Sequence, residues 1–346
     1  MPVRMSKVSG SRFKKLSRII YVNKPYPWQI KQWQTLQTLR HQKRLPHGLM
    51  LVGQRGLGLN DFAQLLAQSS LCQRPNKGGR PCEKCQPCTL FAAETHPDFR
   101  FITPEEDKQQ ISIDQVRELQ SFMQLSQAGE RSKITIVTPA ESMNLFAANS
   151  LLKTLEEPPG DSLLILVTHQ PGRLPATIRS RCRMMTFPKP EKKQAAEWLQ
   201  QKGYQQADEL LLLAQGAPCL AAQLSDEVGL QVYQQFVASL LALIQRKQRL
   251  SQLSELWLQI PPELLFSWHT SLLRDLIRAA SGVEMARFEN QNEVQHLQKI
   301  AVRVNLGRLF GLYDQLIELS RSANAPLNPE LFRERMALLW MQAFAS

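Results

Sequence analysis

Two sets of residues in this chain have types and spacings that could do chemistry. The first follows a short apolar run, Gly48-Leu49-Met50-Leu51-Val52, and reads Gly53-Gln54-Arg55-Gly56-Leu57-Gly58-Leu59-Asn60 before the apolar-periodic Phe62, Leu65 and Leu66. Strand, glycine-rich turn and helix are the setting of a phosphate-binding P-loop. Its glycines let backbone N–H groups curl around an anion, and the helix N-terminus adds partial positive charge. A working loop also needs Lys to reach the β and γ phosphates and Ser or Thr to hold Mg²⁺. Those positions are Leu59 and Asn60. Leu59 cannot neutralise charge, and Asn60 is a poor Mg²⁺ ligand in this role. Gly53, Gly56, Gly58, Leu59 and Asn60 therefore form a degenerate loop, expected to be empty. The plain alternative is a chance glycine-rich turn. A second strand weighs against that alternative. Lys133-Ile134-Thr135-Ile136-Val137 should end in acids for Mg²⁺ and the attacking water. It ends in Thr138-Pro139-Ala140-Glu141, so the expected acids are replaced by Thr138 and Pro139.

The second set is Cys72, Cys82, Cys85 and Cys88, four of the chain's six cysteines. In a cytosolic chain such clustering favours a metal over disulfides. Arg74, Pro75, Lys77, Gly78, Gly79, Pro81 and Pro87 supply the turns that bring thiolates onto one ion. Four thiolates make a closed tetrahedral site, which suits structural Zn²⁺ because no position is left for water. An Fe–S cluster, a redox pair and inert buried thiols are the competitors. Cys182 and Cys219 stand alone and read as small buried hydrophobes.

The elements that must position these residues alternate between strand and helix. A helix is expected around Gln29–Arg44, then the strand ending at Val52, a strand at Phe99–Ile102 and a helix at Ile113–Met123. Ile134–Val137 and Leu163–Val167 read as further strands, the latter unbroken enough to be buried on both faces of a parallel sheet. Between them a helix over Asn144–Glu157 carries Leu145, Ala148, Leu152 and Leu155 at helical spacing and stops at Pro158-Pro159. Met184–Phe187 is expected as a fifth strand. Past Pro188-Lys189-Pro190 the strand signals vanish. Short helices broken at Gly203, Gly216 and Pro218 give way to long amphipathic patterns such as Phe236, Leu240 and Leu243, then Leu309, Leu312, Leu316 and Leu319. Core packing explains most of these leucines, and a helical bundle or subunit contact uses the same faces.

The chain has 346 residues, too long for one ordinary domain, with 43% hydrophobic and 21% charged residues. No apolar run approaches the roughly 18 residues that span a bilayer, and the basic N-terminus lacks the apolar core of a secretory signal. A cytoplasmic location is the expectation. Of the net charge of +12, seven positive charges (Arg4, Lys7, Arg12, Lys14, Lys15, Arg18 and Lys24) fall within residues 1–24, which contain no acid. That arm is either a disordered extension or a non-specific phosphate-binding segment. Asp98 and Asp114 read as turn and helix-cap residues, and no residue makes a convincing nucleophile.

The stretch Ala147-Ala148-Asn149-Ser150-Leu151-Leu152-Lys153-Thr154-Leu155-Glu156-Glu157-Pro158-Pro159 resembles the signature of bacterial clamp-loader AAA+ subunits. Ser180-Arg181-Cys182, after the Leu163–Val167 strand, and the cysteine module after the P-loop helix are similar to theirs in position. The resemblance covers about residues 26–187; beyond that it is one of helical content only. It implies α/β followed by all-α: a RecA-like AAA+ parallel-sheet domain at 25–187 with a zinc module at 72–88, a helical lid at 188–227 and a helical collar at 228–346. The family's ATPase (gamma/tau) subunits carry intact Lys-Thr and Asp-Glu motifs, and this chain departs at all four positions. Its opening Tyr26-Pro27-Trp28 resembles that of the family's non-hydrolysing subunit. The lid turn Gly216-Ala217-Pro218-Cys219-Leu220 also lacks the arginine that motor subunits place there.

The resemblance gives Arg181 a role as an arginine finger that reaches a neighbouring subunit's γ-phosphate. On the residues alone it is an ordinary surface or ion-paired arginine; Arg179 and Arg183 flank it and are expected to serve the fold or the interface. Implied partners are gamma/tau and delta subunits, with the sliding clamp and primed DNA met through the assembly during DNA replication. Zn is the implied cofactor, and no ATP hydrolysis is expected of this chain alone. The rival readings are a clamp-loader ATPase that uses its altered loop and a zinc-containing DNA-binding module that uses the basic arm.

Overall fold

The computed structural model describes residues 22–105, 108–124, 132–227, 229–245, 247, 257–258, 260–284, 294–302, 304–322 and 329–344. The basic arm up to residue 21 lies outside them. The chain divides into two compact units, one built on residues up to Gln205 together with Ala217–Leu220, the other on Gln206–Gly216 and everything from Ala221 onward.

In the first unit a turn of 3-10 helix at Pro27–Gln29 leads into α1 (Ile30–His41). Then β1 (Gly48–Gly53) feeds α2 (Leu59–Leu71), and α3 (Gln86–Ala92) precedes β2 (Phe99–Ile102). α4 (Ile113–Gln124), β3 (Ile134–Val137), α5 (Leu145–Glu156), β4 (Leu163–Thr168), α6 (Ala176–Arg179), β5 (Arg183–Phe187) and α7 (Lys192–Gln201) follow. All five strands are parallel, in the order β2-β3-β4-β1-β5. The alternation of side chains along a strand divides the core in two. Leu49 and Leu51 of β1 join Trp33, Leu36 and Phe62 on one face, whereas Met50 and Val52 join Val116, Leu119 and Leu151 on the other. This two-sided burial is why β1, β3 and β4 read as near-continuous apolar runs. Because β1 lies between β4 and β5, the loop leaving its C-terminal end opens at the edge of the sheet where open α/β folds hold ligands.

Helix boundaries follow local chemistry. α5 starts where the Asn144 side chain accepts a hydrogen bond from the Ala147 N–H (2.8 Å) and ends before Pro158-Pro159. At α4, Ser112 and Gln115 cap each other reciprocally, Gln115 N–H to Ser112 Oγ at 3.3 Å and Ser112 N–H to Gln115 Oε1 at 3.0 Å. Asp114 is therefore a first-turn residue, paired with Arg117 at 3.4 Å, and the cap is Ser112. Asp98 does more than turn the chain before β2: with Lys133 it forms a buried ion pair at 3.6 Å. The Lys133 ammonium also lies over the Phe122 ring, 4.5 Å from its centroid.

The second unit, among the described residues, is helical throughout. It comprises α8 (Ala207–Leu213), α9 (Pro218–Glu227, which begins in the first unit), α10 (Gly229–Ile244), α11 (Pro262–Ala280), α12 (Val294–Ala301), α13 (Leu306–Ser322) and α14 (Pro329–Ala343). None of the described helices is by itself long and apolar enough to cross a membrane. Phe236, Leu240, Leu243, Leu309, Leu312 and Leu316 are core residues here. Arg333 ties the chain together by donating to the carbonyls of Trp257 (2.7 Å) and Ile260 (2.9 Å).

At the centre of this core His269 is caged by Phe236, Trp257 and Trp340, with no hydrogen-bond partner for either ring nitrogen among the described residues. Burial pushes its pKa down to about 3. The unfolded chain therefore takes up a proton near pH 6.5 that the folded chain refuses, and stability rises with pH through that range. We expect the wild-type chain to lose about 2 kcal/mol between pH 7 and pH 5 from this residue alone. Urea unfolding of His269→Phe across the same range should show that part of the slope removed.

Candidate functional site

The glycine-rich loop is packed against other segments of its own chain. Gly56 and Gly58 take the left-handed φ values (79° and 76°) that let the loop curl. The space above them is filled. A methyl group added at Gly56 would meet the backbone N of Leu220 at 2.9 Å and the Cβ of Ala217 at 3.1 Å. One added at Gly58 would meet Tyr26 Cδ2 at 2.6 Å and Cys219 Sγ at 3.3 Å. The Cys219 N–H donates to the Gly56 carbonyl at 2.9 Å. From the other side, Trp28 Nε1 (3.0 Å) and Gln29 Nε2 (2.8 Å) donate to the Leu57 carbonyl, and Gln29 Nε2 also donates to that of Gly58.

The plug has its own architecture. Tyr26 stacks on Trp28 (centroids 5.0 Å apart), and the edge of Trp198 from α7 closes on both. The Tyr26 hydroxyl donates to Asp61 Oδ2 at 2.7 Å. Burial raises the pKa of the Tyr26 phenol, and the Cys219 and Asp61 beside it push the same way. Burial likewise raises Cys219. It also raises Asp61, against the pull of the Tyr26 hydrogen bond. Both the phenol and the Cys219 thiol are thus kept protonated at neutral pH.

Of the two loop positions singled out in the sequence, one turns inward and the other meets the end of β3. Leu59 points into the core with Phe62 and Phe187. Asn60 Oδ1 accepts a hydrogen bond of 2.7 Å from Thr138 Oγ1 at the end of β3. In a working site the residue after the P-loop lysine position and one at the end of β3, which β4 separates from β1, would both face Mg²⁺; here the side chains of Asn60 and Thr138 hydrogen-bond to each other directly. Glu141, a little further on, uses Oε1 to accept the His169 N–H at 3.1 Å, and His169 Nδ1 lies 2.9 Å from the Gly53 carbonyl.

The cysteines converge. Cys72 sits at the C-terminus of α2, Cys85 at the N-cap of α3 and Cys88 within it. Their sulfurs and that of Cys82 all lie within 4.8 Å of one another, with Cys72 and Cys85 3.9 Å apart. Ligand sulfurs around a tetrahedral Zn²⁺ with bonds of about 2.3 Å are roughly 3.8 Å apart. Backbone N–H groups of Cys82 and Cys85 point at Cys72 Sγ (3.3 Å) and Cys82 Sγ (3.4 Å). Backbone N–H donation from Lys84, and then from Cys85, pushes the Cys82 thiol down to about 6, whereas burial pushes Cys72 and Cys88 up. The donor set suits a metal ion: four sulfurs this close would repel one another as thiolates, and a cation among them would offset that cost. The intervening turn is anchored by Trp33 Nε1 on the Gly78 carbonyl (2.9 Å) and by the Ser69 hydroxyl on that of Gly79.

Arg181 lies at the opposite end of the sheet from the loop. Its backbone carbonyl is 3.3 Å from where a Cβ on Gly48 would be, at the start of β1. The loop begins five residues later, roughly 16 Å away by strand rise. Cys182 is buried beneath it, in the core with Leu155, and leaves the Arg181 side chain exposed. This arginine cannot serve its own loop.

A family model described as "DNA polymerase III, delta subunit" matches residues 28–191, and one described as "DNA polymerase III, delta subunit, C terminal" matches residues 228–342. The DNA polymerase III subunit delta' of Pseudomonas aeruginosa is 34% identical over 322 residues, covering 91% of this chain and 97% of that protein. The chain belongs to the delta' family of DNA polymerase III clamp-loader subunits. The Escherichia coli member is 30% identical over 305 residues, covering 85% of this chain and 90% of its own length. Membership accounts for the AAA+ sheet with its helical C-terminal half. Sequence reasoning missed the Tyr26–Trp28–Trp198 stack and the Asn60–Thr138 bond. The aromatic residues carried a signal in Tyr26-Pro27-Trp28, but nothing in the sequence pairs them with Trp198.

Proposed function

We propose that this chain is the non-hydrolysing subunit of a clamp loader, a rigid stator that donates Arg181 to the ATP site of a neighbouring motor subunit. It carries no ATPase of its own. The observation that carries this reading is the closed loop: Leu59 is turned into the core, Asn60 is bonded to Thr138 and the turn is covered by Leu220, Ala217 and Tyr26. Exposure of Arg181 at the far end of the sheet from that loop supports action in trans. Its partners are gamma/tau and delta subunits, and it meets the sliding clamp and primed DNA through the assembly, in the cytoplasm. Cys72, Cys82, Cys85 and Cys88 hold a structural Zn²⁺. Residues 25–187 are the AAA+ domain, 188–227 the lid and 228–346 the collar that packs with other subunits. The test is DNA-stimulated ATP turnover by a reconstituted loader carrying this chain or Arg181→Ala, with assembly checked by gel filtration. Lower turnover in an intact complex supports the reading; unchanged turnover removes the arginine finger and leaves a structural subunit.

A further inference from the structure

Arg181 does not hang free. One terminal nitrogen donates to Glu156 Oε1 at 2.6 Å, and the other donates to the Thr177 carbonyl at 3.1 Å. The Ser180 hydroxyl donates to that same carbonyl at 3.1 Å. Glu156 is the last residue of α5, whose end is pinned by His47 Nε2, 3.0 Å from the Leu155 carbonyl. The carboxylate therefore sits on a fixed helix terminus. The partial negative charge of that terminus also favours a cation. We propose that Glu156 is the positioning residue for Arg181: it holds the guanidinium in the orientation from which it meets a nucleotide phosphate on a neighbouring subunit.

Magnitudes favour this over a stabilising role. The pair is solvent-exposed, with side chains 36% and 50% accessible, and exposed ion pairs contribute little to stability. Orientation is another matter. An arginine side chain has many rotamers, and a misplacement of 1 Å at a reacting centre can cost about 100-fold in rate. Of the five N–H groups of a guanidinium, the Glu156 and Thr177 contacts use two. The remaining three stay available to an incoming phosphate, which the planar fork can take bidentately. The two anchors come from different elements, α5 and α6, so together they fix the plane of the group as well as its position.

The inference rests on the arginine-finger reading, and the experiment separates the two. A loader reconstituted with wild-type chain, Glu156→Ala, Glu156→Gln, Arg181→Ala or the Glu156→Ala/Arg181→Ala double variant is assayed for turnover against Mg-ATP concentration, with primed DNA and clamp present. Glu156→Ala should remove about nine-tenths of the Arg181-dependent turnover, through kcat with little change in KM. Glu156→Gln, which keeps an acceptor oxygen, should restore a large part. In the Arg181→Ala background Glu156→Ala should change nothing further, since both act through one group. If Arg181→Ala slows the loader but Glu156→Ala does not, the positioning role is wrong while the finger stands. Faster turnover of Glu156→Ala would make the carboxylate a competitor of phosphate and would equally overturn the proposal. If Arg181→Ala has no effect, the functional reading itself fails.

Discussion

Replacing Arg181 by alanine is expected to slow hydrolysis at the neighbouring ATP site by about 10³- to 10⁵-fold, the range that trans-acting arginines supply elsewhere. The size follows from where the charge is needed. Negative charge spreads over the γ-phosphoryl oxygens only as the bond breaks, so a guanidinium aimed there acts mainly on the transition state. ATP affinity at that site should change far less than kcat, and a rapid-quench measurement of hydrolysis beside equilibrium nucleotide binding separates the two. Arg181→Lys should fall between, because an ammonium keeps the charge but loses the bidentate fork. The variant should fold normally, since Arg181 is exposed and the buried anchor of the segment is Cys182.

The second large effect is expected at the cysteines. Cys88→Ser should abolish binding of about one Zn²⁺ per chain and destabilise the protein by several kcal/mol. Structural zinc in small peptides is worth about 10–16 kcal/mol at neutral pH, an upper bound here because the module also leans on the sheet domain. That contact is what makes the loss global. Phe91 of α3 is buried in the main core and packs on Phe99 of β2, ring centroids 4.5 Å apart. Loosening α3 therefore exposes apolar surface that the central sheet depends on. Elemental analysis together with thermal melting, with and without a chelator, reads both parts. A well-folded, metal-free wild-type chain with an unchanged melting temperature would show that the cysteines are simply buried thiols.

What the sequence revealed, and what it concealed, divides along a physical line. Strands β1, β3 and β4 were legible because burial on both faces forces unbroken apolar runs. The convergence of the four cysteines was legible because they lie close in the chain with turn residues between them, although α3, which carries Cys88, was not. The departures from a working nucleotide site at Leu59, Asn60, Thr138 and Pro139 were legible as residue types. What replaced that chemistry was not. Asn60 and Thr138 are 78 residues apart, and nothing local in either segment announces their bond. The plug over Gly56 and Gly58 is drawn from Tyr26, Ala217 and Leu220, and each of these suits many other settings. The same holds for Glu156: on the sequence it is one acid in a helix-ending run, and only the packing of α5 beside α6 turns it toward Arg181. Periodicity encodes which face of an element is buried, whereas pairings between distant elements are decided by tertiary packing.

We propose that the nucleotide loop of this chain is closed by the chain itself. Calorimetric titration of Mg-ATP into the isolated full-length protein tests it most directly. No binding at millimolar nucleotide and no hydrolysis are expected. Binding at micromolar concentration, with turnover, would mean that the Tyr26–Leu220 plug opens and that this chain is a motor subunit after all.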